Sequence, residues 1–114
     1  MKLISTVIRS EELDTVRRAL LAFGAPGVTV TPLLAGSLWN RHLEVYRASV
    51  LVADLVPRLR VDVLAADEDA AELAALLVRI GGGAPGGDDT ARVWISAVED
   101  AVRVRTGEHG ERAV

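Results

Sequence analysis

The 114-residue sequence contains no cysteine, which excludes disulfide bonds and thiolate metal sites. Aromatic residues make up only 4% of the chain, so any core must consist mainly of Leu, Val and Ala. The apolar run near the start, residues 2–9, is interrupted by Ser5 and Thr6 and is too short for a membrane span or a signal peptide. We therefore expect a cytoplasmic protein that does not insert into a membrane.

The charge balance is nearly even, with 13 basic and 16 acidic residues and a formal net charge of -3. Such a chain has no general attraction for nucleic-acid phosphates, so we expect no nucleic-acid partner, and any phosphate site must be local. A chain of this length with half of its residues hydrophobic forms one domain, residues 1–114, with a modest core. Association with copies of itself would stabilise it.

The first part of the chain has the pattern of a strand, a helix and a second strand. Residues 2–9 alternate like a central strand, and Ser10 can cap a helix that Gly24 would end. Residues 28–31 alternate again, and Pro32 confines this strand to an edge of the sheet.

The pattern is repeated after residue 57. Residues 58–63 alternate like a half-buried strand, and Asp67 can cap a helix that ends at Gly81. Residues 92–96 form a fourth strand. A short fifth strand is predicted at residues 101–105, before a polar tail at 107–114 that includes His109.

This order of elements predicts an α+β fold, the ferredoxin-like βαββαβ sandwich with a long loop between strands 2 and 3. Both helices would cover one face of a four-stranded antiparallel sheet. The other face would carry Thr29, Arg58, Arg60 and Asp62 between aliphatic neighbours. A face of this composition suggests packing against copies of the same chain.

Two loops have an unusual composition. The segment from Ser37 to Pro57 is long for a compact domain and mixes Trp, Tyr, His and Arg with aliphatic residues, which is typical of a recognition loop. Residues 81–90 contain five glycines, whose entropic cost suggests a function. This segment lacks the Gly-Lys-Ser/Thr of a Walker A motif, and from composition alone a flexible turn is the simpler interpretation.

Arg103 and Arg105 are two residues apart on the predicted fifth strand. Both guanidinium groups would then point the same way, and paired Arg side chains suit phosphate oxygens. The alternative is a surface pair neutralised by acids such as Glu99 or Asp100.

Other polar and aromatic residues also allow more than one interpretation. Asp62 could accept a hydrogen bond from a ribose hydroxyl, or it could pair with Arg60 on the same face. Trp39 could anchor a partner protein, or it could fold back on its own loop. His42 and Glu44 give two metal ligands without a third, which does not make a metal site. No arrangement of nucleophile and base stands out, so we predict that the protein is not an enzyme.

Three sets of residues match one known family together, although none does so alone. They are Gly27-Val28-Thr29-Val30-Thr31, then His42, Glu44, Tyr46, Arg47, Asp54 and Pro57, and finally Val102-Arg103-Val104-Arg105-Thr106-Gly107. With these residues the sequence resembles the PII signal-transduction proteins over nearly all of the chain, without gaps from Met1 to about Gly82. Proteins of that family are trimers that bind ATP or ADP in clefts between subunits and project long loops onto transporters or enzymes.

The resemblance implies a homotrimer that binds an adenine nucleotide (ATP, ADP or AMP), alone or with Mg, and contacts a membrane transporter or a metabolic enzyme. Residues 81–90 would lie near the phosphates, and Arg92 stands where the family has a phosphate-binding lysine. In the long loop, Trp39, Tyr46 and Leu51 would face the partner. The residues expected around the nucleotide are Val7, Gly27, Val28, Thr29, Ala35, Gly36, Ser37, Leu38, Asp62, Leu64, Gly86, Gly87, Arg92, Arg103 and Arg105.

The sequence departs from the family pattern near the phosphates and in the long loop. Ala35 and Ser37 stand where the family usually has glycines that let the backbone approach the phosphates. Leu51 occupies the position of a tyrosine that many members have modified with a nucleotide. We therefore expect regulation by nucleotide occupancy rather than by covalent modification.

Leu38 and Trp39 replace the family's Arg-Gln pair. The family uses that glutamine, with a lysine at the position of Arg58, to hold 2-oxoglutarate beside the metal and ATP. An indole has one N–H donor and no acceptor, so we expect that 2-oxoglutarate is not bound in the family's usual way.

Two functions remain open at this point. The first is a regulator that responds to an adenine nucleotide and controls a transporter or enzyme through its long loop. The second is a ferredoxin-like trimer that binds a metal or another small molecule, or acts as a minor enzyme, and whose arginines only bridge subunits.

Overall fold

The computed structural model describes residues 1–36, 55–82 and 91–114. Its strands are β1 (Lys2–Ile8), β2 (Thr29–Ala35), β3 (Val56–Ala65) and β4 (Val93–Ala97), its helices are α1 (Leu13–Phe23) and α2 (Asp67–Gly82), and single 3-10 turns cover Ser10–Glu12 and Gly110–Ala113. The strands form one antiparallel sheet in the order β2-β3-β1-β4. The predicted α+β fold is confirmed.

The core lies between both helices and one face of the sheet. Alternation along β1 and β3 sends every second side chain to this face, and each helix contributes one apolar stripe. The buried apolar side chains are Ile4, Ile8, Val61, Val63 and Ala65 from the strands and Val16, Leu20, Ala70, Leu73 and Leu77 from the helices. Both helices therefore cover the same face, as the element order predicted.

The predicted cap of α1 is wrong. Ser10 opens a 3-10 turn, and the Glu12 carboxylate accepts a hydrogen bond from the backbone N–H of Arg9 at 2.9 Å. The partial positive charge at the start of a helix favours a carboxylate there, and Glu12 supplies it. The predicted end is confirmed, because Gly24 has φ +93° and its N–H bonds to the carbonyl oxygens of Leu20 and Leu21.

Asp67 is likewise not the residue that precedes the second helix but its first residue. Its carboxylate accepts a hydrogen bond from the α-amino group of Met1 at 2.7 Å. This contact ties the beginning of β1 to the beginning of α2. The helix continues to Gly82, one residue beyond the predicted end at Gly81.

Strand β2 is an edge strand, as Pro32 predicted, but it continues through the proline to Ala35. Proline has no N–H to donate to a neighbouring strand. An edge strand tolerates it because the strand has a hydrogen-bonded neighbour on one side only. Strand β3 begins at Val56 and takes Pro57 from the predicted loop. Residues 37–54 and 83–90 lie outside the described residues, so the predictions for the centres of both loops stay predictions.

The predicted fifth strand at residues 101–105 is wrong. Val102 forms a single bridge to His109, and the Arg103 N–H bonds to the Glu108 carbonyl oxygen at 2.8 Å. Gly107 has φ +74°, a backbone conformation that glycine allows without strain and that helps the chain turn back. Residues 100–110 thus form a hairpin that closes on itself, which we call the C-terminal hairpin, and not the start of a simple polar tail.

In the parts of the chain that the structure describes, neither helix is long and apolar enough to cross a bilayer.

Leu73→Ala should be among the most destabilising single changes in the protein. Leu73 is 1% exposed in the centre of the core, and removing a buried Leu side chain costs about 2–5 kcal/mol. Urea unfolding at a fixed protein concentration measures the difference. The control is Leu21→Ala, because Leu21 is 74% exposed. Equal effects of the two changes would contradict the described core.

Candidate functional site

Among residues 1–36, 55–82 and 91–114, no helix packs on the face of the sheet opposite α1 and α2. Register and alternation place on it Leu3, Ser5 and Val7 of β1, Thr29 and Thr31 of β2, Arg58, Arg60, Asp62 and Leu64 of β3, and Trp94 and Ser96 of β4. We call this surface the open face. The polar side chains that the sequence predicted for it lie there.

A polar network runs across the middle of the open face. The Ser5 hydroxyl, on a residue with no exposed surface, donates to Asp62 Oδ1 at 2.5 Å. The Arg60 Nε–H lies 3.1 Å from both carboxylate oxygens of Asp62. The Arg60 guanidinium also stacks over Trp94, 5.2 Å from the ring centre, an attractive cation–π geometry. Four residues from three strands therefore hold one another in place.

The sequence allowed Asp62 either to bind a ribose hydroxyl or to pair with Arg60. In the structure it pairs with Arg60. Each oxygen of an ionised carboxylate has more than one acceptor position, so a ribose hydroxyl could still be accommodated. The contact with ribose stays a prediction.

One group of predicted nucleotide residues lies toward the amino end of β1. Thr29 is opposite Asp62, and Gly27 and Val28 precede it, so they extend toward this end. Leu64 is opposite Leu3 on the open face. The C-terminal hairpin, which carries Arg103 and Arg105, follows the end of β4, and Ala97 is paired with Lys2.

A second group lies toward the carboxyl end of β1. Val7 is opposite Arg60, Ala35 is the last residue of β2, and Gly36 follows it. Arg92 precedes β4, and its carbonyl oxygen accepts a hydrogen bond from the Thr6 hydroxyl at 2.8 Å. Thr6 is buried, so it fixes the backbone at the point where the chain enters β4.

Strand β4 separates Arg92 from the C-terminal hairpin. It has five residues, a length of about 17 Å. Arg103 also has partners of its own within the C-terminal segment, since its guanidinium donates to the Val114 carbonyl oxygen at 3.2 Å and lies 3.9 Å from a Glu108 carboxylate oxygen. The fold of one chain therefore places the predicted phosphate ligands at two different ends of the sheet.

The inference that Arg103 and Arg105 point the same way because they share a strand is wrong, since residues 104–106 form a turn. Val104 between them is 97% exposed, so the turn presents an apolar side chain as well as charge. The alternative prediction for Arg103 and Arg105 was that Glu99 or Asp100 would neutralise their charges. Arg103 lies instead near Glu108, and Asp100 binds His109 at 3.0 Å.

The remaining predicted residues lie outside the described ranges. They are Ser37, Leu38, Gly86 and Gly87 for the nucleotide and Trp39, Tyr46 and Leu51 for the partner. Within residues 1–36, 55–82 and 91–114, no three His, Asp or Glu side chains are grouped so that they could hold a metal ion.

Sequence reasoning missed two polar residues that organise this region. Thr6 looked like an ordinary strand residue, and its bond to the Arg92 carbonyl depends on the pairing of β1 with β4. Asp100 was considered only as a charge for the arginines, whereas it binds backbone N–H groups at both ends of the C-terminal hairpin. The spacing of Asp100 and Gly110 gives no signal until the hairpin is known.

Asp62→Ala should destabilise the protein because it leaves the buried Ser5 hydroxyl without its acceptor. The expected loss is about 1–3 kcal/mol in urea unfolding. The double variant Ser5→Ala/Asp62→Ala should lose less than the sum of the two single losses, because the two groups interact. Asp14→Ala, at an exposed ion pair on α1, is the control. If the losses of the two single variants add up to that of the double variant, the hydrogen bond between Ser5 and Asp62 contributes nothing to stability.

A family model described as "Nitrogen regulatory protein P-II" matches residues 1–108 of the chain. The chain is 36% identical over 120 aligned positions to proteins named "Nitrogen regulatory protein P-II" from Cereibacter sphaeroides and from Rhizobium meliloti, and each alignment covers all of both chains. It is 35% identical over 114 positions to "Nitrogen regulatory protein P-II 2" from Methanothermobacter thermautotrophicus, covering all of this chain and 97% of the relative.

Proposed function

Because the chain belongs to the nitrogen regulatory protein P-II family, we propose that it is a signal-transduction regulator that binds an adenine nucleotide between three copies of itself. The resemblance predicted from the sequence is confirmed. The family consists of regulatory proteins rather than enzymes, as predicted. The observation that carries the proposal is the division of the predicted phosphate ligands between two ends of one sheet.

This division favours a site that two copies complete together. Within one chain, β4 keeps Arg92 and the C-terminal hairpin apart by about 17 Å. A neighbouring copy can bring its own hairpin, with Arg103 and Arg105, to the Arg92 end. A contact between two different ends is heterologous, and heterologous contacts that close produce a ring, of which a trimer is a small example.

The open face supplies a surface on which the copies can pack. It combines apolar side chains such as Leu3, Leu64 and Trp94 with the internally paired Arg60 and Asp62. Because Arg60 and Asp62 already neutralise each other, burying this pair against another copy does not isolate either charge.

In the proposed complex, Arg92, Arg103 and Arg105 bind phosphate oxygens, and the glycine-rich segment with Gly86 and Gly87 closes over them. Residues 27–29, at the start of an edge strand, lie near the base. Edge strands have backbone N–H and C=O groups without strand partners on their outer side, which suits hydrogen bonding to an adenine ring. Asp62 contributes to binding the ribose, and the nucleotide binds alone or with Mg.

The long loop is proposed to contact the regulated protein, a membrane transporter or a metabolic enzyme in the cytoplasm. The chain leaves β2 at Ala35 and Gly36, at the same end of the sheet as Arg92. A phosphate bound there favours the loop conformation to which it binds more tightly. The shift in the loop equilibrium equals the difference between its binding free energies for the alternative conformations. Trp39, Tyr46 and Leu51 form the partner-facing side, and 2-oxoglutarate is not held in the family's usual way.

The protein should be a homotrimer in solution, because the site needs a second copy and a head-to-tail contact closes as a ring. Light scattering coupled to gel filtration should give three times the chain mass of 12.1 kDa. Leu3→Glu, which puts a charge opposite Leu64 and Ser96 on the open face, should shift the protein toward monomers. A stable monomeric parent at micromolar concentration would rule out the proposed site.

Arg103→Ala should weaken nucleotide binding by roughly tenfold or more, since a hydrogen bond to a charged group contributes about 1.5–3 kcal/mol. Titration calorimetry with ATP, ADP and AMP measures the loss. Arg17→Ala is the matched control, because Arg17 is an exposed arginine paired with Asp14 on α1. Unchanged affinity in Arg103→Ala would remove this arginine from the site, and no binding by the parent would remove the proposed function.

A further inference from the structure

One carboxylate connects the two ends of the C-terminal hairpin. Asp100 Oδ1 accepts hydrogen bonds from the backbone N–H of Ala101 at 2.9 Å and of Gly110 at 3.1 Å. The other oxygen, Oδ2, lies 3.0 Å from Nδ1 of His109. The residue at which the hairpin begins is thus bonded to the two residues at which it ends.

Other bonds lie between and within the arms of the hairpin, among them one from the Thr106 hydroxyl to the Glu108 carboxylate at 2.8 Å. Besides the bridge between Val102 and His109, they include the Arg103 N–H to the Glu108 carbonyl at 2.8 Å and the Gly107 N–H to the Arg103 carbonyl at 2.7 Å. The Gly110 N–H also lies 3.0 Å from the Ala101 carbonyl. A hairpin of two short arms is marginally stable in water, so the bonds from Asp100 to both of its ends add to what keeps it closed.

We propose that Asp100 is a positioning residue for nucleotide binding: with His109 it holds the C-terminal hairpin closed and so presents Arg103 and Arg105 to the phosphates. This inference rests on the proposed function. Asp100 touches no nucleotide itself and acts through the backbone that carries the two arginines. Without it, the turn at residues 104–106 samples many orientations, and binding must order it first.

The charge of Asp100 suits this role over the neutral range of pH. The hydrogen bond to His109 is the largest cause that lowers the pKa of Asp100 from its ordinary value of 3.8, and the Ala101 and Gly110 N–H groups lower it further. Because the folded pKa is lowered, the stabilisation is present above pH 3.8 and is lost only as the pH falls through the lowered value. Because its pKa is lowered, Asp100 is charged at neutral pH and can accept the hydrogen bonds from both ends of the hairpin.

The test compares three variants of the full chain. Asp100→Ala removes all three bonds, whereas Asp100→Asn keeps one carbonyl oxygen that can accept from both Ala101 and Gly110. Glu99→Ala removes the same charge from the neighbouring residue and is the matched control. Each protein is measured for ADP affinity by calorimetry, for thermal unfolding, and for amide hydrogen exchange without nucleotide.

Asp100→Ala should weaken ADP binding by about tenfold and speed exchange at Arg103 and Gly110 by at least a similar factor, because both amides are bonded only while the hairpin is closed. The unfolding temperature should hardly change, since the core lies elsewhere. Asp100→Asn should recover most of the affinity and most of the protection, and Glu99→Ala should match the parent.

Exchange in Asp100→Ala that equals the parent's would overturn the inference, because the hairpin would not depend on this carboxylate. Faster exchange with unchanged ADP affinity would overturn it too, since the closed hairpin would then not matter for binding. A parent that binds no ATP, ADP or AMP marks failure of the proposed function. A parent that binds while Asp100→Ala binds equally well marks failure of this inference alone.

Discussion

Both helices pack on one face of a four-stranded sheet, and most of the remaining structure follows from this one-sided coverage. The chain is short and poor in aromatic residues, so Leu, Val, Ile and Ala make up its buried core. On the other face, Ser5, Arg60 and Asp62 satisfy one another's polar groups, and Arg60 stacks on Trp94. Another molecule can therefore cover the pair of Arg60 and Asp62 without isolating either charge.

The topology also sets the distance between the two groups of predicted phosphate ligands. A five-residue strand at the edge of the sheet separates Arg92 from the C-terminal hairpin. In the proposed assembly, the side chains that would bind the phosphates come from two copies placed end to end. In the proposed assembly each copy would complete its neighbour's site, so ligand binding would depend on assembly.

Much of the fold was predictable because its signals are local. Alternation in β1 and β3, the edge position of Pro32 and the left-handed Gly24 all follow from rules that involve neighbouring residues. The open-face residues of the site were predictable for the same reason. The stack of Arg60 on Trp94 was not, because these residues lie on strands separated by β1, and only the complete register brings them together.

Two of the wrong predictions share a physical cause, which is competition among polar groups that meet in the folded chain. Ser10 and Asp67 are good caps in isolation, but Glu12 binds the Arg9 N–H and the α-amino group of Met1 binds Asp67. The alternating Val-Arg-Val-Arg segment has strand character, yet Gly107 lets the chain turn back and Asp100 closes the hairpin.

The most direct test of the central claim, that one site is made by two copies, is subunit mixing. Arg92→Ala and Arg103→Ala proteins, each weak in ADP binding, are unfolded together, refolded as a 1:1 mixture and titrated with ADP. If neighbours share the site, about a quarter of the clefts in random rings regain both arginines and bind with parental affinity. If the mixture binds no better than either variant alone, the two arginines do not belong to a shared site and the account is contradicted.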